Sequence, residues 1–252
     1  MAVRGIIFDL GWTLVDFDGD VLAVDQERAR DLGSFLLHNG YQVDGTAVFA
    51  RYAEETRALG EAGETLNYEY PARVAMLRAL RNFLPRDEAA RLARAALAAS
   101  FDCAVRRWQL YPDTLSTLSA LRDNGYRLGC VSNTHDGDHV WRIVDGCGLR
   151  SWLSPIYTSA DVGLRKPHPD IFRQVLDDWG MSPDEVIMVG DTLNADVLGA
   201  HNVGMRGIWI DRGPVSPWSH NDVSQAYIVP DVTIRQLAEL PELLNGAWSE
   251  RG

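Results

Sequence analysis

No part of this chain approaches the ~20 consecutive apolar residues of a membrane-spanning helix. The opening Met1-Ala2-Val3-Arg4-Gly5 runs directly into a short apolar strand and is too short to read as a signal peptide. Cysteine is scarce. Cys103, Cys130 and Cys147 show neither a paired spacing nor a metal-binding motif, so they are expected to be reduced thiols of the core, in a cytoplasmic protein. Positive charge is also in deficit: 24 Lys and Arg face 35 Asp and Glu, for a net charge of -11. Nucleic acid and anionic membranes would both repel such a surface, so neither is an expected partner. Repeats and low-complexity tracts are absent. What remains, 46% hydrophobic and 23% charged over 252 residues, is ordinary globular composition with enough chain to bury a core.

Apolar patterning divides the chain in two. Residues 3–8, 127–131, 186–189 and 206–210 read as buried strands, and residues 227–229 as a further short one. Between them, residues 114–124 and 194–202 carry helical periodicity, ending near Gly125 and Gly204. Strands separated by helices of about ten residues imply a parallel sheet with helices on both faces, hence an α/β class. Ligands in such sheets bind at the carboxyl ends of the strands. Asp9, Ser132 and Asp191 all stand at such ends.

Residues 21–38, 44–59, 71–84 and 87–105 are instead helical with few strand signals, punctuated at Gly40, the Gly60 and Gly63 stretch, and Pro85. The expected organisation is a Rossmann-like core from residues 1–17 and 108–252, with an all-helical insertion over 18–107.

Four short motifs carry the chemistry. Phe8-Asp9-Leu10-Gly11-Trp12-Thr13-Leu14 places a carboxylate at a strand end before a tight turn, as covalent phosphoryl transfer requires of a nucleophile. Cys130-Val131-Ser132-Asn133 ends a strand in a hydroxyl. Gly163-Leu164-Arg165-Lys166-Pro167 supplies a cation, and Val189-Gly190-Asp191-Thr192-Leu193-Asn194-Ala195-Asp196 two carboxylates five residues apart. In this order, with the helical insertion after the first, they resemble motifs I to IV of the haloacid dehalogenase-like (HAD) superfamily with a C1-type helical cap. Pro230-Asp231-Val232-Thr233-Ile234 resembles the family's closing strand-to-helix segment, so the likeness runs nearly end to end.

The resemblance implies a phosphatase of small molecules. Asp9 would form an aspartyl-phosphate. Ser132, the backbone N–H of Asn133, and Lys166 would hold phosphate oxygens. Mg²⁺ would sit among Asp9, the Gly11 carbonyl, Asp191 and Asp196. The cap would close over the site and select substrates. Arg165 could touch substrate or pair with a surface carboxylate, and Asn194 could serve the site or cap a helix.

One position departs from the pattern. The family's phosphatases carry a second aspartate two residues after the nucleophile, a general acid-base worth roughly 10²–10⁴ in rate; here it is Gly11. Asp16, Asp18, His135, Asp136 or His139 could substitute, or the substrate could be one whose leaving group needs little protonation, such as a sugar 1-phosphate, an acyl phosphate or an aryl phosphate. Restoring the carboxylate, Gly11→Asp, is expected to raise hydrolysis of alkyl phosphates. A hydrolytic dehalogenase of the same superfamily also lacks that aspartate but has no need of Asp191 and Asp196. A non-catalytic phosphate-binding relative is the third reading. A phosphonate-cleaving relative would need a cap lysine, and residues 18–107 contain none. A receiver domain would be half as long and uncapped. Trp12 could wall the pocket or pack against the cap hinge. Trp108, Tyr111, Trp218 and His220 have no assignable role, and the sequence is silent on oligomeric state.

Overall fold

The structure, a computed structural model, describes residues 2–213 and 227–246. Strand β1 (Gly5–Phe8) is buried along its whole length, because Ile6, Ile7 and Phe8 have helices on both faces of the sheet and no accessible surface. It lies at the centre, paired in parallel with β4 (Arg127–Ser132) on one side and β6 (Val186–Gly190) on the other. Outside β4 runs β5 (Ile156–Thr158); outside β6 run β7 (Arg206–Ile210) and β8 (Val232–Ile234). All six are parallel, in the order β5-β4-β1-β6-β7-β8. Their carboxyl ends share one edge, which brings Asp9, Ser132 and Asp191 together. The α/β expectation holds.

Helices α5 (Thr114–Asp123), α6 (Gly137–Gly146), α7 (Ser159–Val162), α8 (Pro169–Trp179), α9 (Leu198–Asn202) and α10 (Leu240–Asn245) flank the sheet. Two apolar clusters separate its faces. One gathers Phe8, Leu118, Leu128, Val140 and Ile234; the other Ile7, Val131, Phe172, Trp179 and Met188.

The segment after β1 forms α1 (Val21–His38), α2 (Gly45–Glu64), α3 (Ala72–Leu80) and α4 (Arg86–Val105). Asp20 and Asp44 cap the first two by accepting from backbone N–H groups. The four share a core of their own around Leu32, Leu36, Val48, Met76, Leu80 and Leu97. The chain leaves and re-enters the sheet region through an antiparallel pair, β2 (Val15–Phe17) with β3 (Trp108–Leu110).

Three expectations fail locally. Gly60 and Gly63 do not break α2, which runs on to Glu64; an added Cβ at Gly63 would lie 2.4 Å from the Tyr68 carbonyl, so this glycine serves a close backbone approach. Residues 227–229 form no strand, since Tyr227 and Val229 are exposed and Pro230 has no N–H to donate; the outer strand is β8. The helix after β6 begins as a π-helical turn, Leu193–Val197, before α9. Trp218 and His220 lie outside the described residues.

Candidate active site

Lys166 is the hub. It follows α7 in a loop, its bond to Pro167 is cis, and its side chain is only 2% exposed. The ammonium lies 2.6 Å from Asp9 Oδ1, 2.7 Å from Asp196 Oδ1 and 2.7 Å from the Val131 carbonyl. Burial opposes its charge, but the carboxylates of Asp196 and Asp9 outweigh that and raise its pKa above the ordinary lysine value. It is also the only lysine in the chain.

Asp196 is fully buried. Its Oδ2 accepts from the Thr192 N–H at 2.9 Å, which closes the turn after β6 and points the carboxylate back at the sheet edge. An added Cβ at Gly190 would stand 2.2 Å from its Cγ, so β6 must end in glycine for Asp196 to occupy this place. Asp191, Asp196 and Asp9 each present an oxygen within 4.8 Å of the others. Burial, then the charges of Asp9 and Asp196, push the Asp191 carboxyl up to about 8. Burial pushes Asp196 up to about 6 despite Lys166. Three carboxylates therefore crowd together, two of them against one ammonium, and their excess negative charge and hard oxygen donors suit a small divalent cation such as Mg²⁺.

Ser132, buried at the end of β4, and Asn133 lie at the same edge. The Asn133 side chain does something its sequence position does not announce: its Nδ2 donates to the Lys166 carbonyl (2.9 Å), and its Oδ1 accepts from the Lys166 N–H (2.8 Å). It thereby locks the second motif to the third. Asn194 sits inside the π-helical turn, and Thr192 takes the preceding N-cap position. Among the described residues Arg165 pairs with no surface carboxylate; it lies 3.5 Å from the buried Glu69 of the helical segment.

Gly11 is walled by an aromatic side chain. A Cβ at this position would lie 3.2 Å from Trp108 Cη2. Trp108 packs edge-on against Trp12 (5.0 Å between ring centroids) and Phe17 (5.1 Å). So Trp12, at φ 53°, packs on the antiparallel β2–β3 pair through which the helical segment joins the sheet. The candidate acid-base substitutes are engaged elsewhere or exposed. Asp16 accepts from the Tyr111 hydroxyl (3.1 Å), itself beneath Arg212. Asp18 is exposed, and Asp136 caps α6. His135 pairs with Glu69 at 2.6 Å. His139 is held neutral, pushed down to about 3 chiefly by burial and also by Arg28 and Arg142.

Strand-end carboxylates around a buried lysine, at one edge of a six-stranded parallel sheet, define an α/β protein with a hydrolase-like site. The chain belongs to the haloacid dehalogenase-like hydrolase family, whose pattern matches residues 3–204. It is similar to a glyceraldehyde 3-phosphate phosphatase of Methanopyrus kandleri, 28% identical over 247 residues covering 96% of this chain and 97% of that one. It is also similar to a phosphoserine phosphatase of Thermus thermophilus, 36% identical over 129 residues, half of this chain and 51% of the other. Its fold matches a 2-haloacid dehalogenase from Pseudomonas syringae with a TM-score of 0.73 at 22% identity, covering 98% of this chain and 99% of that one.

Proposed function

We propose that this chain hydrolyses small phosphate monoesters, using Mg²⁺ and an aspartyl-phosphate formed on Asp9. The observation that carries this reading is the cluster of Asp9, Asp191 and Asp196 around Lys166. The similar proteins named for phosphatases of glyceraldehyde 3-phosphate and phosphoserine support it.

Lys166 anchors Asp9 Oδ1, which supports Oδ2 as the oxygen that attacks phosphorus in line. As the O–P bond to Asp9 forms, the bond to the leaving oxygen breaks; water later attacks the aspartyl-phosphate and releases phosphate. Ser132, the Asn133 N–H and Lys166 hold the phosphate oxygens. Asp9, the Gly11 carbonyl, Asp191 and Asp196 would hold the Mg²⁺, which when bound supplies positive charge to those oxygens. Residues 18–107 act as a cap over the core formed by 1–17 and 108–252 and exclude water during the reaction. With no side chain at Gly11 to protonate the leaving oxygen, aryl, acyl and sugar 1-phosphates are the favoured esters.

The same glycine favours a second reading, a hydrolytic dehalogenase, because a halide leaves without a proton. That reading gives Asp191 and Asp196 no task. The test is phosphate release from p-nitrophenyl phosphate in Mg²⁺ and in EDTA, with Asp9→Asn alongside. Metal-dependent release lost in the variant is the expected result. A folded protein with no release in Mg²⁺, but chloride release from a 2-chloro acid, would select the dehalogenase.

A further inference from the structure

Between α2 and α3 the chain forms a strap, residues 65–71, that reaches from the helical segment to the carboxyl edge of the sheet. Its backbone, with that of Ala72 at the start of α3, is tied there by three hydrogen bonds. The Glu69 N–H donates to the Gly163 carbonyl (3.0 Å), the Arg165 N–H to the Asn67 carbonyl (2.7 Å), and the Ala72 N–H to the His135 carbonyl (2.6 Å). Tyr68 and Leu164 form an antiparallel bridge within this contact.

At the centre of the strap Glu69 is buried, its side chain 2% exposed. Its Oε1 faces His135 Nδ1 at 2.6 Å. Its Oε2 accepts from the Ser159 hydroxyl at 2.9 Å and lies 3.5 Å from Arg165 Nε. Ser159 in turn accepts from the Thr134 N–H (2.8 Å); its single hydroxyl proton serves Glu69, with the Thr134 carbonyl at 3.0 Å the alternative acceptor. One carboxylate thus holds the loop after β4, the start of α7 and the loop before Lys166. Those loops carry Asn133, two residues before His135, and Lys166, one residue after Arg165. Burying a carboxylate is costly unless every partner is in place, so this arrangement fixes a geometry more strictly than an apolar contact would.

We infer that Glu69 is a positioning residue: from outside the sheet it sets the relative placement of the Asn133 and Lys166 loops. Its kinetic consequence rests on the proposed phosphatase reading; its structural consequence does not. The test compares wild type with Glu69→Gln, Glu69→Ala and Arg94→Ala. Arg94 pairs with Asp138 at 2.9 Å, an exposed tie between α4 and α6, and controls for loss of any contact across the same boundary.

Hydrogen exchange is read at residues 133–135 and 163–166, well below the melting temperature, together with kcat on p-nitrophenyl phosphate. Both Glu69 variants are expected to lose at least about tenfold in protection at those residues. Glu69→Ala should lose about 10²-fold in kcat, as misplaced catalytic groups do, and Glu69→Gln less, because it keeps the volume and part of the bonding. Arg94→Ala should match wild type in both. Wild-type exchange in the two loops of the Glu69 variants would overturn the inference. So would a kcat loss no larger than the fall in folded fraction seen by melting, since that marks a merely stabilising role. Should Glu69→Ala not fold, Glu69→Gln carries both readouts. Should wild type release no phosphate, the phosphatase reading fails separately and the exchange result decides the role of Glu69.

Discussion

Methionine at position 166 would fill nearly the volume of the lysine while removing the one ammonium bonded to Asp9 and Asp196. Breaking a buried ion pair by deleting one partner costs about 3–5 kcal/mol. Lys166→Met is therefore expected to lower the urea midpoint by that equivalent at pH 8 and to abolish phosphate release. Native Lys166 should also resist an amine-reactive reagent that labels it once the protein is unfolded, and peptide mapping reads this directly. Gly11 gives the second prediction at this scale. Its missing side chain was legible, but the reason a carboxylate does not simply fit there was not, because Trp108 stands 97 residues away in sequence. With Trp108 only 3.2 Å from an added Cβ and wedged between Trp12 and Phe17, Gly11→Asp alone should gain little on alkyl phosphates. Gly11→Asp combined with Trp108→Ala should exceed it by about 10-fold or more, approaching the rate range of general acid-base catalysis. Equal rates for the single and double variants would show that Trp108 is not the obstruction.

At the scale of elements, the junction of β6 with its π-helical turn places the Asp196 carboxylate, one of the proposed metal ligands, through steric necessity. Gly190→Ala sets a methyl group into the Asp196 carboxylate, so Asp196 must swing away from Lys166 and from Asp191. The expected result is weaker Mg²⁺ binding by calorimetry, by about 10-fold or more in Kd, the cost in affinity typical of disturbing the support of a metal site. An unchanged Kd would remove Asp196 from the metal set. The elements legible in the sequence were those with long patterns. Strands β1, β4, β6 and β7 read as continuous apolar runs because both faces of a parallel sheet are covered, and α1 to α4 span two to five helical turns. Strands β2, β3 and β5 have three residues each, too few for a period to show. The strap of residues 65–71 escaped for a different reason: its partners, His135, Ser159 and Arg165, lie 66 to 96 positions further on, and no local pattern encodes such contacts.

For the whole molecule, the carboxylate cluster couples stability to pH and, on the proposed function, to metal. Asp191 has an ordinary value of 3.8 and is pushed up to about 8 in the metal-free fold. Between those values the folded state holds a proton that the unfolded chain has released, so stability falls as pH rises through this window. Asp196, pushed up to about 6, acts in the same sense over the lower part. Buried His139 works oppositely: pushed down from 6.5 to about 3, it favours the folded state as pH rises through that range, with its contribution dying away about one unit above 6.5. From about pH 6.5 to 8 Asp191 makes the largest contribution, while those of His139 and Asp196 fade over the lower half of the interval. In EDTA the melting temperature of wild type should fall across that interval, and Asp191→Asn, which carries no proton to lose, should flatten the slope. At the proposed metal site, Mg²⁺ would replace the proton as the neutralising charge and add stability in proportion to RT ln(1 + [Mg²⁺]/Kd). Its stabilising increment should therefore be larger at pH 8 than at pH 6.5 in wild type, and nearly equal at the two pH values in Asp191→Asn. Thermal melts at both pH values, with and without Mg²⁺, check this. A wild-type increment independent of pH would mean that Asp191 is already ionised in the metal-free fold, and that the surrounding charge is balanced by something other than a proton.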